Sequence, residues 1–123
     1  MRLALDSDSR IHLVRRYGGG QLLIGEQLIS RPCIVSPQRL LLDWQVGSFE
    51  ELSDAQLDPL FAFQPEIVLI GSGETQPYPS APLRALLRSR ASAVECMSLG
   101  AACRTYNILA SEQRVVVAAL FPK

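Results

Sequence analysis

The sequence predicts a three-layer α/β domain with a mixed, partly parallel sheet, flanking helices and an additional antiparallel β layer. Its 123 residues, 48% of them hydrophobic, are enough for one compact domain with a sizeable core. Short strand patterns fill the first half, whereas strand and helix patterns alternate in the second. Such alternation favours βαβ units with right-handed crossovers, and therefore parallel strands. We expect one domain over residues 1–123, with residues 1–10 left open as a flexible N-terminus.

The first half, from Ile11 to Leu42, has the pattern of an antiparallel β layer. Tyr17 precedes three consecutive glycines, which form a turn because glycine takes a positive φ without a Cβ clash. Pro32 ends a strand or places it at an edge. The further strands are predicted at Leu22–Ile24, Gln27–Ile29, Cys33–Val35 and Leu40–Leu42.

Helices and buried strands alternate in the second half. Ser53 and Gln56 form a capping-box pattern that starts a helix, and this helix ends near Gln64-Pro65. The apolar run Ile67–Ile70 is typical of a strand buried on both faces. A leucine stripe after Pro82 predicts a second helix. The remaining elements are a strand, a helix and a strand, predicted at Val94–Met97, Ala101–Leu109 and Arg114–Leu120.

The charge pattern excludes several classes of partner. Twelve basic residues balance twelve acidic ones, and long like-charge runs are missing from the sequence. Capture of nucleic acid or of an anionic membrane needs concentrated positive charge.

No apolar run reaches the roughly 18–20 residues of a membrane helix, and the first residues have acids where a signal peptide is apolar. We therefore expect a soluble, cytoplasmic protein without nucleic-acid binding or membrane insertion.

The thiols and the imidazole give little support for a metal. Cys33, Cys96 and Cys103 cannot all pair within one chain, and their spacings match no zinc motif. His12 is the single histidine of the chain. We expect reduced thiols, no structural metal and no cofactor.

Two loops follow neighbouring predicted strands and should meet at one edge of the sheet, where ligands bind in open α/β folds. Glycines let backbone N–H groups approach an anion, and the start of the last helix adds a positive dipole end. The predicted cleft for a small anion or phosphate-bearing ligand is lined by Gly71, Ser72, Gly73, Gly100, Cys103 and Arg104. Alternatively, these residues form a tight turn and a close helix–sheet contact, because the loop lacks a complete dinucleotide or phosphate-loop motif.

Two side chains of this cleft each allow two interpretations. Cys103 could be a reactive thiolate, because a helix start and the neighbouring Arg104 would stabilise its negative charge. It could instead be a packed, inert thiol, because the sequence places no base near it and free cysteine is usually buried in the core. Arg104 could clamp a carboxylate of a ligand or pair internally with Glu74, Glu95 or Glu112. We therefore assign no catalytic residue.

The C-terminal part of the chain resembles a known family. The specific match is the run Ala-Ala-Cys-Arg-Thr-Tyr-Asn-Ile-Leu at Ala101–Leu109. Further matches are Val94-Glu95, Met97, Glu112, Arg114 and Val117–Leu120, and upstream Tyr17-Gly18, Ile34–Pro37, Trp44 and Ile70–Gly73. The sequence resembles the small uncharacterised-domain family that includes the mitochondrial respiratory complex I assembly factor three and the adipogenesis-associated domain-containing protein.

The resemblance implies a three-layer α/β fold and no established catalytic activity. It also implies that protein–protein contact is the mode of action of the mitochondrial members. Two departures stand out: members of the family commonly have Asp-Thr in place of Ser98-Leu99, and Gly in place of Gln113. Without that acid, carboxylate-dependent chemistry has less support, although Ser98 can still cap the helix.

Three hypotheses about function follow from the sequence. The first is a non-enzymatic binding or assembly module that contacts a protein partner. The alternative is a small-ligand or anion-binding protein, or an enzyme, that uses the predicted cleft. In the third, the cleft residues serve packing alone. The sequence identifies neither the partner nor the oligomeric state.

Overall fold

The computed structural model describes residues 11–90 and 93–122. Within these residues the chain forms two β-sheets and three α-helices, so the predicted mixed α/β class with an additional antiparallel β layer is confirmed. The expectation for residues 1–10 falls outside the described residues.

The elements lie close to the predicted positions. The strands are β1 (Val14–Gly18), β2 (Gln21–Ile24), β3 (Gln27–Ile29), β4 (Cys33–Val35), β5 (Leu40–Leu41), β6 (Ile67–Ser72), β7 (Val94–Met97) and β8 (Val116–Phe121). The helices are α1 (Asp54–Phe61), α2 (Ala81–Arg90) and α3 (Leu99–Ser111), with a 3-10 turn at Phe49–Glu51. At the start of α1, the Ser53 N–H donates to Gln56 Oε1 at 2.9 Å, as expected for a capping box.

The larger sheet has five strands in the order β5-β4-β8-β6-β7. Strands β8, β6 and β7 are parallel, whereas β4 and β5 are antiparallel additions on the other side of β8. The prediction of one antiparallel layer from Ile11 to Leu42 is therefore wrong for β4 and β5. All three residues of β4 are buried, which suits a position inside a covered sheet rather than in a layer that faces solvent.

The smaller sheet contains β1, β2 and β3, all antiparallel. The turn between β1 and β2 has positive φ at Gly18, Gly19 and Gly20, as the glycine run predicts. Leu22 and Ile24 point from β2 into the core, while the intervening Leu23 lies on the outer face beside Leu28. This sheet is the additional β layer, and it packs against α3.

Hydrophobic clusters cover both faces of the five-stranded sheet. Strand β8 contributes to both, because all six of its residues are buried and successive side chains point to opposite faces. Val116, Ala118 and Leu120 join the cluster with α3 and the small sheet, whereas Val117, Ala119 and Phe121 join the cluster with α1 and α2. Helix α3 therefore lies between two sheets.

Candidate functional site

The two predicted loops are neighbours at the carboxyl edge of β6 and β7. The Leu99 N–H donates to Gly73 O at 2.9 Å, which joins the start of α3 to the loop after β6. Gly71 lies in β6 under α3, and a Cβ on Gly71 would be 2.5 Å from Ala102 Cβ. A side chain at Gly71 would therefore push α3 away from the sheet, so this glycine permits close packing.

The backbone donors at the start of α3 mostly have internal acceptors. Ser98 is the N-cap: its Oγ accepts from the Ala101 N–H at 3.3 Å, and its carbonyl accepts from the Ala102 N–H at 2.9 Å. The Tyr17 ring covers Gly100 so closely that a Cβ there would be 2.8 Å from Tyr17 Cε1. This helix start presents fewer free amides to an anion than an uncapped one.

Cys103 is 1% exposed and belongs to the hydrophobic core. Burial raises the pKa of its thiol to about 12, against the smaller lowering effect of Arg104. Burial also raises the pKa of Cys33 to about 12, with a further contribution from Cys103. Cys103 is thus protonated at neutral pH, which fits the packing interpretation and not the thiolate interpretation.

Arg104 is exposed on α3, and its Nη1 donates to the Tyr17 hydroxyl at 2.5 Å. The ion pairs considered from the sequence, with Glu74, Glu95 or Glu112, are not among the salt bridges of the described residues. Arg104 is therefore joined to β1 through a neutral partner and keeps its charge available at the surface.

Tyr106 and Asn107 also join α3 to the segment around β1. The buried Tyr106 donates its hydroxyl to His12 O at 2.6 Å, and burial raises the pKa of this phenol above its ordinary value. The Asn107 side chain accepts from the Val14 N–H at 2.9 Å and donates to Val14 O at 2.8 Å. Sequence reasoning missed this role of Asn107. The available signal was an asparagine inside a helix, where it is disfavoured unless it has a specific partner.

A depression of about 390 Å³ lies between the two loops at this edge. Its lining comprises Glu74, Thr75, Gln76, Glu95, Cys96, Met97, Ser98 and Ala101. Glu74 and Glu95 are both acidic, so their charges oppose the approach of an anion. Of the predicted cleft residues, Ser72, Gly73 and Arg104 are accessible, whereas Gly71 and Cys103 lie in the core below.

A larger cavity, of about 560 Å³, lies at the opposite edge of the sheet, where β4 ends and β8 begins. Sequence reasoning did not predict it. The turn after β4 contributes Ser36 and Arg39, and the segment between α3 and β8 contributes Gln113 and Arg114. The available signal was Gln113, a position where the resembled family commonly has glycine.

Two features of the described residues bear on the class of site. Helices α1, α2 and α3 all fall short of the length and apolar character required to span a bilayer. Across residues 11–90 and 93–122, no three histidine, cysteine, aspartate or glutamate side chains are grouped as metal ligands would be.

Curated relatives match between 74% and 98% of this chain. The chain is 30% identical over 123 residues to NADH dehydrogenase (ubiquinone) 1 alpha subcomplex assembly factor 3 from Xenopus tropicalis, covering 98% of this chain and 66% of that protein. It spans 50% to 66% of the length of the vertebrate assembly factors that it matches. It is also 30% identical over 104 residues to the 13 kDa major membrane protein of Francisella tularensis, covering 83% of this chain and 84% of that protein.

Solved structures have the same fold. A crystal structure of a Bordetella parapertussis protein matches with a TM-score of 0.79 at 31% identity, covering 92% of this chain and 97% of that chain. An NMR structure of a Xanthomonas campestris protein matches with a TM-score of 0.77 at 36% identity, covering 90% of this chain and 84% of that chain. The profile of the family described as "Protein of unknown function (DUF498/DUF598)" matches residues 14–121, and the chain belongs to this family.

Proposed function

We propose that this chain is a non-enzymatic assembly-type module that binds a partner protein through the exposed surface of α3 and β1. We call this surface, which consists of Tyr17, Arg104 and Ile108, the α3 surface. Tyr17 is 43% exposed and Ile108 is 59% exposed. Arg104 and Ile108 are four residues apart, so they lie on the same side of the helix. The assembly-factor names of the relatives support a role of this kind.

The chemistry of the α3 surface suits protein binding. Tyrosine and arginine are enriched at protein interfaces and among the residues that dominate binding energy. The single observation on which the proposal depends is the 2.5 Å hydrogen bond from Arg104 to the Tyr17 hydroxyl. It holds both side chains in one arrangement before a partner arrives, which lowers the entropic cost of binding. The partner itself is not inferred from the relatives, because the chain covers only part of their length.

The thiols favour a binding module over a nucleophilic enzyme. Cys33, Cys96 and Cys103 are free, and burial raises the pKa of each thiol to about 11 or about 12. A nucleophilic cysteine needs the opposite shift. The resemblance implies an acid at the start of α3, where this chain has Ser98 as a neutral N-cap. This replacement removes a carboxylate that an enzyme could use.

We place this module in the cytoplasm, where free thiols persist. The name of the Francisella tularensis relative, a major membrane protein, favours a location at a membrane instead. Fractionation of the native host separates the two. Recovery of the chain in the supernatant after high-speed centrifugation is expected, whereas its recovery in the membrane pellet would contradict this placement.

Affinity capture from the native host tests the α3 surface. The variants are Arg104→Glu, which reverses the charge of this surface, and the control Arg88→Glu, on an exposed position of α2 across the five-stranded sheet. A partner captured by the wild type and by Arg88→Glu should be reduced at least about tenfold with Arg104→Glu, the loss expected for a central interface residue. Circular dichroism should show that both variants are folded. Equal capture by the two variants would rule out the α3 surface.

The small-anion hypothesis for the cleft predicts a different result. Phosphate added to the isotopically labelled chain should shift the amide resonances of Gly73, Gly100 and Arg104 together, in a saturable manner. We expect no such shifts up to millimolar phosphate, since Glu74 and Glu95 line the neighbouring depression. Saturable shifts would favour the anion-binding alternative over the assembly module.

A further inference from the structure

The cavity where β4 ends and β8 begins differs in chemical character from the predicted cleft. It has a volume of about 560 Å³, within the range of small-molecule sites. Its lining combines apolar residues, among them Ile11, Phe63 and Val115, with the two arginines Arg39 and Arg114.

The guanidinium of Arg39 is positioned by an aromatic ring. Its central carbon lies 4.7 Å from the centroid of the Phe63 ring, in a cation–π contact. Within residues 11–90 and 93–122, no hydrogen bond uses the N–H donors of this guanidinium. A guanidinium presents its N–H donors in the fork geometry that binds a carboxylate.

The charges around the cavity leave a positive excess. Arg114 donates from Nε to Glu66 Oε1 at 3.3 Å, and the Val115 N–H also donates to Glu66 Oε1 at 3.2 Å. These two hydrogen bonds lower the pKa of Glu66 below its ordinary value, so this carboxylate is ionised and neutralises one arginine. Arg39 contacts an aromatic ring and not a carboxylate, so its positive charge is not neutralised by a described residue of the cavity. The lining therefore suits a ligand with a single negative charge.

Gln113 adds a polar group at a cost in backbone energy. Its φ is +63°, in the left-handed region that favours glycine, yet a glutamine lines the cavity at this position. A glutamine in this conformation is strained, and the strain is explained if its amide has a partner in the cavity.

We propose that this cavity binds a small amphipathic monocarboxylate. The carboxylate faces the donors of Arg39, with the amide of Gln113 as a further hydrogen-bond donor. The hydrocarbon or aromatic body of the ligand lies against Phe63 and Ile11. The site shares no residue with the α3 surface, since it lies where β4 ends and β8 begins and meets α3 only at Ala110 and Ser111.

Titration with matched probes tests this site. Benzoate and hexanoate should each shift the amide resonances of Arg39, Gln113 and Val115 in a saturable manner. Benzamide and hexanamide have the same bodies without the charge, and they should bind at least about tenfold more weakly, the effect of losing one charge-assisted hydrogen bond. Equal binding of acid and amide, or no saturable shift with either acid, would overturn the proposal.

Variants separate binding from folding. Arg39→Gln should weaken benzoate binding at least about tenfold, whereas Arg88→Gln, outside the cavity, should leave it unchanged. Gln113→Gly should also weaken binding while it raises the free energy of unfolding, because it removes both the amide and the left-handed strain. A structural role alone would move affinity and stability in the same direction. Unchanged affinity in both Arg39→Gln and Gln113→Gly would overturn the proposal.

Discussion

The side-chain amide of Asn107 hydrogen-bonds both backbone polar groups of Val14. It accepts from the Val14 N–H at 2.9 Å and donates to the Val14 carbonyl at 2.8 Å. Among the strands of residues 11–90 and 93–122, β1 is at the edge of the small sheet, so no described strand pairs with these two groups on that side. Asn107 thus takes the place of an adjacent strand and joins α3 to the small sheet. In this chain, three residues of the run Ala101–Leu109, namely Arg104, Tyr106 and Asn107, therefore connect α3 to the segment around β1.

Replacing Asn107 tests this connection. Asn107→Ala leaves the N–H and the C=O of Val14 without partners at a half-buried position, and we expect a loss of about 1–3 kcal/mol in the free energy of unfolding. Urea denaturation measures it. The control Arg104→Ala removes an exposed contact from the same helix and should cost less than about 1 kcal/mol. Equal losses in the two variants would contradict the special role of Asn107.

The two glycines of the predicted cleft should respond differently to alanine. Gly71→Ala brings a methyl group within 2.5 Å of Ala102 Cβ in the core, so we expect a loss of about 1–3 kcal/mol or more. Gly100→Ala meets the exposed Tyr17 ring, which can move, and gains up to about 1 kcal/mol of helix propensity. Thermal unfolding of both variants checks the order. Partial rescue of Gly71→Ala by Ala102→Gly would identify the steric cause, whereas a larger loss for Gly100→Ala would refute the prediction.

Gln113→Gly should stabilise the chain. Gln113 has φ +63°, and glycine takes this conformation without the Cβ clash, so the free energy of unfolding should rise by about 1 kcal/mol. Ser111→Gly is the matched control, because Ser111 is the last residue of α3 and has no left-handed strain. That substitution should lower stability by up to about 1 kcal/mol. Chemical denaturation of both variants decides, and a fall in stability for Gln113→Gly would contradict the strain argument.

The buried thiols predict a loss of stability in alkali. Burial raises the pKa of Cys33 and Cys103 from 9.0 to about 12, and that of Cys96 to about 11. Above pH 9 the unfolded chain binds fewer protons than the folded one, so the free energy of unfolding falls as pH rises. The stability that the buried, protonated thiols contribute is complete below pH 9. It decreases as the pH rises from 9 to the pKa values of the thiols in the folded chain. The slope should be about 1.4 kcal/mol per pH unit for each thiol.

Urea denaturation between pH 8 and pH 10.5 measures this slope. The variant Cys103→Ala removes one of the three thiols, so its curve should fall less steeply above pH 9, whatever its stability at neutral pH. Identical slopes for wild type and variant would show that Cys103 titrates normally in the folded state.

Local pattern was sufficient for much of the fold. The predicted strands Cys33–Val35 and Val94–Met97 match β4 and β7, and the glycine turn after Tyr17 has the expected positive φ values. Each of these features depends on residues that are adjacent in the chain. The alternation of Ile11 and Leu13 with His12 and Val14 predicts a first strand that begins at Ile11, whereas β1 begins at Val14. Pairing with β2, rather than local alternation, sets its position.

The arrangement at the candidate site depended on contacts between distant residues. From the sequence, Gly71 and Arg104 were candidates for a ligand, whereas in the structure Gly71 contacts Ala102 and Arg104 contacts Tyr17. Asn107 and Val14 are 93 positions apart, so no periodicity or spacing can indicate that they meet. The cavity at Arg39 and Gln113 likewise combines two segments that are distant in the chain.

The amino-acid sequence by itself determined the α/β class, the order of its elements, the family and the closeness of the two loops at one sheet edge. The family follows from the resemblance carried by the run Ala101–Leu109. The class, the order of the elements and the closeness of the loops follow from side-chain periodicity, turn residues and the direction of parallel strands, which act over short stretches of chain. Only the tertiary structure decided which polar groups are used internally and which face solvent. A side chain has few hydrogen-bonding groups. Only packing brings the Tyr106 hydroxyl to the His12 carbonyl and the Asn107 amide to the Val14 carbonyl, and these bonds use the donors of both side chains internally.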